Sequence, residues 1–200
     1  ACVDGPDFNG YEVDFDEAMQ RNNMYKAILS LSKGEPLAIL GVCEVENTFV
    51  TTMLLQKTPL KRHNYRVIHY EGDDRRGIDV AIIYSVEKLR LIDSEVVKIR
   101  NPDDNNFRTR DILYAKFYDD KSDTLHCFVN HWPSRYGGEK ETVHLRDLAA
   151  SVLKNKIDSL WEMFWTGGIT NPLDVVEQMT YLMFIHDLDV SDNLREKESA

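Results

Sequence analysis

Apolar residues recur at helical spacing in two long segments of the chain, residues 15–31 and residues 141–160. Lys33-Gly34 follows the first segment and is a plausible helix stop. A third, shorter helix is predicted for residues 47–56. The sequence therefore predicts one helix near its start, a short one over residues 47–56 and a long one over residues 141–160.

Most of the chain between the long helices consists of runs of strand length: residues 37–45, 65–70, 78–84, 111–118 and 124–132, with a mixed polar and apolar ribbon over 89–99. The run at 37–45 is almost continuously apolar, which predicts a strand covered on both faces. A helix, then many strands, then a helix indicates an α/β layered domain rather than an all-β one.

Composition narrows the class of protein. The chain has 200 residues, 42% of them hydrophobic, which suits one domain with a substantial core and argues against global disorder. With 24 basic and 34 acidic residues, the net charge of −10 disfavours nonspecific binding of polyanions, but not an acidic site that handles phosphate through a metal ion. Three cysteines without CxxC spacing indicate neither a disulfide framework nor a zinc knuckle. No apolar run is long enough to cross a bilayer. The acidic first residues do not resemble a signal peptide, and the sequence does not indicate the cellular compartment of the protein.

The composition changes near residue 160. Residues 161–200 hold eight acids and two bases, and Asn171-Pro172 opens a further predicted helix over residues 173–188. We therefore expect two units, residues 1–160 and a helical segment over residues 161–200.

Three segments carry candidate chemistry, and the first is LGVCEVEN at residues 40–47. It places Glu44 where a strand ends, the position at which open α/β sheets bind their ligands. One carboxylate with water and substrate oxygens is a common way of holding Mg²⁺. The alternative is that Glu44 and Glu46 simply leave the strand into solvent.

The other two segments also lie at strand ends. In residues 73–84, Arg76 has the donor geometry that suits phosphate, and Asp79 lies one step inside an apolar strand, where a carboxylate needs partners. In residues 127–141, Asn130 and His131 close a strand, and a histidine there can stabilise charge developing on a phosphoryl group. The alternatives are a charged turn and a structural histidine.

Four segments taken in order, LGVCEVEN, RRGIDVAIIY, TRDILYAKF and VNHWPSRYGGEKE, resemble the endonuclease/exonuclease/phosphatase superfamily, the relatives of pancreatic deoxyribonuclease. The resemblance covers roughly residues 20–160 and is strongest to a bacterial branch. It implies a four-layer α/β/β/α sandwich of mainly antiparallel strands, here a partial one. It also implies hydrolysis of phosphoesters, DNA among them, with Mg²⁺ or Mn²⁺.

The resemblance also implies roles for individual residues. By likeness, Glu44 is the metal-binding glutamate, and Asn130 and His131 flank the scissile phosphate as the catalytic pair. Arg110 and Arg76 would bind the substrate. Asp79 and Asp111 would support them.

The sequence departs from the family pattern at both ends. No strand with an asparagine-bearing motif precedes residue 15, and no GDFN-like or Ser-Asp-His segment follows residue 160. The letters DFN at residues 7–9 stand on the wrong side of the chain. We therefore expect an incomplete active site, with little or no hydrolysis unless a protein partner or a second copy completes it, through exposed sheet or through the C-terminal helix.

A second resemblance covers residues 160–189, which are similar to the N-terminal helical domain of the modification subunit of type I restriction systems. It implies an alternative function, an interaction module that assembles on DNA with a specificity subunit. The competing interpretation of these residues is a generic amphipathic helix of the hydrolase core. An inactive fusion of two fragments is the third possibility.

Overall fold

The computed structural model describes residues 15–32 and 35–166 of the chain, with side chains for residues 21–32 and 35–163. Three helices and six strands lie in this part, together with a 3₁₀ turn at Pro59–Arg62. The helices are α1 (Phe15–Leu31), α2 (Thr48–Lys57) and α3 (Glu139–Thr166). The strands are β1 (Ile39–Val45), β2 (Tyr65–His69), β3 (Asp79–Ser85), β4 (Arg90–Val97), β5 (Ile112–Tyr118) and β6 (Thr124–Val129). The helices and strands predicted between residues 15 and 160 are confirmed, with bounds that differ by no more than six residues.

Two antiparallel three-stranded sheets form the centre of the fold, in the orders β1-β3-β2 and β4-β5-β6. They pack face to face through apolar side chains such as Ile82 and Phe117, both fully buried. Ile28 of α1 and Leu54 of α2 pack on the outer face of the first sheet. Ala149 of α3 packs on the outer face of the second. The predicted α/β/β/α layering of mainly antiparallel strands is therefore confirmed.

The expectation that residues 37–45 form a strand covered on both faces is correct only in part. Leu40 packs against the apolar cluster under the helices and Ile39 against the cluster between the sheets, whereas the end of the strand is open. β1 pairs with β3 and with no other strand of the described residues, and Gly41, Cys43 and Glu44 are exposed. The strand buried along its whole length is β3, which lies between β1 and β2. β1 is apolar because it approaches the second sheet closely: a Cβ on Gly41 would lie 2.9 Å from a methyl carbon of Val129 in β6.

Antiparallel pairing gathers the chemistry-bearing strand ends at one end of the sandwich, which we call the site end. In the first sheet, the last residues of β1 and β2 lie beside the first residues of β3. In the second sheet, the last residues of β4 and β6 lie beside the first residues of β5. The Tyr70 hydroxyl donates to the backbone oxygen of Ser94 at 3.1 Å, which joins the two sheets at this end.

α3 continues without a break through the buried Leu160 to Thr166. The DFN letters at residues 7–9, the Gly167-Gly168 pair, the helix predicted over residues 173–188 and most of the segment resembling a modification subunit lie outside the described residues. The division of the chain at residue 160 stays a prediction. Within the described residues, no helix is long and apolar enough to span a membrane.

Candidate active site

Glu44 lies in a β-bulge at the end of β1. The register with β3 shifts between Cys43 and Val45, and Glu44 takes a backbone φ of 60°. A positive φ is uncommon for a residue with a side chain, and such conformations recur at functional sites. Its side chain is 65% exposed. The strand ends at Val45, so Glu46 does not continue the same strand face.

Asn130 and His131 directly follow β6, opposite the bulge in the other sheet. His131 Nε2 lies 3.8 Å from Glu44 Oε1, and the Cys43 thiol donates to the backbone oxygen of Asn130 at 3.7 Å. His131 Nδ1 and Asn130 Oδ1 are buried and accept or donate no hydrogen bond within the described residues. The structure therefore brings together the predicted metal-binding glutamate and the predicted catalytic pair.

Burial and, after it, the positive charge of Arg110 lower the pKa of His131, whereas the Glu44 carboxylate opposes this shift. The imidazole is therefore neutral at neutral pH and carries one N–H donor and one acceptor nitrogen. Such a ring can donate a hydrogen bond to a phosphoryl oxygen through its N–H and accept one at its other nitrogen.

Arg110, which precedes β5, lies beneath His131 rather than in solvent. Its side chain is 6% exposed; Nη1 donates to Asp74 at 3.2 Å and Nη2 to the backbone oxygen of Trp132 at 2.7 Å. Arg76, in the loop between β2 and β3, is 57% exposed, and its Nε donates to Asp74 at 3.3 Å. The predicted contact of both arginines with substrate stays a prediction.

Asp74 is a residue of this site that the sequence analysis missed. It accepts hydrogen bonds from Arg110, from the Arg76 side chain and from the Arg76 backbone N–H, yet its side chain is only 6% exposed. Burial raises the pKa of Asp74, but these donors outweigh burial and lower the pKa below its usual value. Asp74 is therefore an ionised, buried carboxylate between two arginines.

The two aspartates predicted to support the site lie at strand starts: Asp79 is the first residue of β3, and Asp111 directly precedes β5. Each has a charged or polar partner. Asp111 accepts from Lys98 at 2.6 Å, and this hydrogen bond raises the pKa of Lys98. Asp79 Oδ2 lies 3.5 Å from Nε2 of His69, a second residue that the sequence analysis missed. Burial raises the pKa of Asp79, although the Gly72 N–H and His69 oppose the shift. Both aspartates thus have partners at the site end, and their supporting roles stay a prediction.

The donor set at Glu44 fits a hard divalent cation that keeps most of its water. The described residues contain no group of three His, Cys, Asp or Glu side chains that could enclose a metal ion. Mg²⁺ does not need such a cage, because it is usually held by one or two carboxylates with water and phosphate oxygens. The exposed Glu44 carboxylate provides one such ligand.

The profile of the Endonuclease/Exonuclease/phosphatase family matches residues 15–165. The chain therefore belongs to this family. A comparison with curated proteins finds no significant match.

Three solved structures share the fold. The human Nocturnin catalytic domain with bound sulfate is 14% identical, with a TM-score of 0.57 over 75% of this chain and 53% of that one. An endonuclease/exonuclease/phosphatase from Bacteroides vulgatus is 20% identical, with a TM-score of 0.53 over 73% and 53%. A D. rerio TDP2 humanized by 14 mutations is 18% identical, with a TM-score of 0.51 over 72% and 55%. The chain spans about half the length of these structures.

Proposed function

We propose that this chain is the part of a divalent-metal-dependent phosphoester hydrolase that carries Glu44 and His131. The observation that supports the proposal is their convergence: one follows β1 and the other follows β6, in different sheets, and their side chains approach to 3.8 Å. A structural histidine or a solvent-exposed glutamate would not require this meeting. The family membership favours phosphoester hydrolysis over other uses of the same groups.

In this proposal Glu44 holds Mg²⁺ or Mn²⁺, which supplies Lewis-acid stabilisation of charge on the phosphate. The neutral His131 donates a hydrogen bond to a phosphoryl oxygen, and Asn130 orients the same group. Arg76 and Arg110 counter the negative charge of the substrate, and Asp79 and Asp111 support the strand ends that carry the site. Nuclease and phosphatase activity both fit, although a net charge of −10 disfavours strong DNA binding by the isolated chain.

We further propose that the chain by itself turns over slowly or not at all. The described residues offer one exposed carboxylate at the metal position. The outer edges of β1 and β6, which flank the site, pair with no other described strand. A further segment, a protein partner or a second copy along these edges would supply the remaining groups.

The alternative function, an interaction module of a type I modification subunit, depends on residues beyond Thr166. Neither the family match nor the site geometry favours it. A hydrolase-derived domain is therefore the function that we put forward.

The test combines metal binding with turnover. Mn²⁺ binding is measured by the decrease in the EPR signal of free Mn²⁺. We expect binding to disappear in Glu44→Gln. It should persist in the matched control Glu46→Gln, because Glu46 is an exposed glutamate two residues away. Hydrolysis of bis(p-nitrophenyl) phosphate and of plasmid DNA with Mn²⁺ should be at or near background, and any residual rate should vanish in Glu44→Gln and His131→Ala.

Two outcomes would contradict this picture. Unchanged Mn²⁺ binding by Glu44→Gln would remove the metal from this site. Fast turnover by the chain alone would leave the site assignment in place, but would show that no completing partner is needed.

A further inference from the structure

Asp74 holds the two arginines of the site by different parts of their side chains. One carboxylate oxygen accepts from Nη1 of Arg110 at 3.2 Å. The other accepts from the Arg76 backbone N–H at 3.0 Å and from Arg76 Nε at 3.3 Å. A single buried carboxylate thus fixes a loop, an exposed guanidinium and a buried one.

Arg110 is held in a way that leaves it unavailable to a ligand. Its side chain is 6% exposed, and its second terminal nitrogen donates to the backbone oxygen of Trp132, the residue after His131. To bind a phosphate with its terminal nitrogens, Arg110 would have to leave both acceptors, one of them an oxygen of a buried carboxylate. Its Nε has no hydrogen bond within the described residues, but this atom is buried as well. Its position suits a strut that fixes the segment carrying His131.

Arg76 is held in the opposite way. The bond to Asp74 uses Nε, so the edge formed by Nη1 and Nη2 remains, and these atoms have no hydrogen bond to any residue that the structure describes. The side chain is 57% exposed. Asp74 also joins Arg76 to Arg110, whose Nη2 donates to the backbone oxygen of Trp132, the residue after His131. A guanidinium with two free nitrogens suits two phosphate oxygens.

We propose that Asp74 is a positioning residue that gives the two arginines different roles. Arg110 fixes the His131 segment, and Arg76 binds the phosphate of the substrate through its outer nitrogens. The identity of the ligand as a phosphoester rests on the proposed function, whereas the division of roles rests on the contacts of Asp74. Arg76 is then the residue whose position determines where the phosphate lies beside His131.

The experiment follows the Nε–H signals of the arginine side chains by ¹⁵N NMR during a titration with inorganic phosphate. A chelator is present, so that no metal at Glu44 can bridge to the anion. Arg76→Lys and Arg110→Lys assign the two signals by their disappearance. We expect phosphate to shift the Arg76 signal and to leave the Arg110 signal in place.

Asp74→Asn keeps the shape of the side chain and removes its charge. It should shift the Arg76 signal and weaken phosphate binding by about tenfold, the equivalent of one hydrogen bond between charged groups. The matched control is Asp73→Asn, because Asp73 is 45% exposed and pairs with Lys98 and Arg100 instead. It should change phosphate affinity by about twofold at most. Arg76→Gln provides an independent variant should Asp74→Asn fail to fold, and it should abolish phosphate binding while the Arg110 signal stays unchanged.

Several results would overturn the assignment: a phosphate-dependent shift of Arg110 but not of Arg76, no shift of either signal, or equal effects of Asp74→Asn and Asp73→Asn. The readout does not depend on turnover. Phosphate binding at Arg76 together with unchanged Mn²⁺ binding by Glu44→Gln would contradict the proposed function and support the division of roles. Loss of Mn²⁺ binding in Glu44→Gln with phosphate bound at Arg110 would do the reverse.

Discussion

The two sides of the site end differ in how firmly the protein holds its charged groups. On one side Asp74 and Arg110 are both 6% exposed, 3.2 Å apart, and bonded to further protein atoms. On the other side Glu44 is 65% exposed, and its contact with His131 spans 3.8 Å. The Asp74–Arg110 pair is therefore the shorter and more buried of the two, and the carboxylate proposed to meet the metal is the more exposed one.

This difference has a physical reason. A side chain that binds a ligand must give up its own protein partner or have none, because each donor and acceptor serves a limited number of bonds. A side chain that holds a loop gains from burial, because a hydrogen bond to a charged group is stronger where water is excluded. Burial and the number of hydrogen bonds to protein atoms therefore distinguish side chains that position other groups from side chains that bind the ligand.

The largest expected effect comes from removing the buried guanidinium. Arg110→Leu should lower the free energy of unfolding by about 3–5 kcal/mol, because it removes two hydrogen bonds of a charged group and leaves Asp74 Oδ2 and the Trp132 carbonyl without the donor that Arg110 supplies. Chemical denaturation monitored by circular dichroism measures this loss. Arg76→Leu is the matched control, and it should cost about 1 kcal/mol or less, since Arg76 is 57% exposed. Equal losses in the two variants would show that the contacts of the two arginines contribute equally to the stability of the fold.

A smaller effect is expected at Gly72, where the loop between β2 and β3 passes over the supporting aspartates. A Cβ at this position would collide with Asp79 Oδ1 and lie 3.7 Å from Asp111 Oδ2. Gly72→Ala should therefore destabilise the protein by about 1–3 kcal/mol, the usual cost of overpacking.

A double-mutant cycle identifies the cause of that loss. In an Asp79→Ala background the collision is gone, so Gly72→Ala should cost much less than in the wild type. Additive losses would mean that Gly72 is required for another reason, and the tight packing beneath the site would then not depend on Asp79.

The sequence predicted the architecture well, because hydrophobic periodicity reports which segments are buried. The helix predicted over residues 15–31 has the observed bounds, and Asn47 caps α2 by accepting from the Val50 N–H. The pattern did not predict which strand is central. An apolar run arises both in a central strand that is buried along its whole length, such as β3, and in the edge strand β1, whose inner residues approach the other sheet.

The site was predicted in part, for a similar reason. Glu44 and His131 stand out because each follows an apolar run. Asp74 does not stand out, because it lies in the charged run at residues 73–76, and a run of charges usually indicates a solvated turn. Its burial depends on Arg110, 36 residues further along the chain. His69 could have been noticed because it ends a predicted strand. Its contact with Asp79 could not be predicted, because it depends on how β2 and β3 pair in the sheet.

The smallest expected effect separates the backbone of Glu44 from its carboxylate. Glu44 and Ser122 both have left-handed backbones, with φ of 60° and 67°, and only Ser122 lies away from the site end, in the turn before β6. Glycine removes the strain of such a backbone but makes the unfolded chain more flexible, so each glycine variant should gain about 0.5–1 kcal/mol of stability at most. Thermal unfolding should show both gains, and stabilisation by added Mn²⁺ should be lost only in Glu44→Gly. A loss of stability in Glu44→Gly alone would mean that this carboxylate supports the fold. Glu44 would then be a structural group like Asp74, and the proposed difference between the two sides of the site end would be wrong.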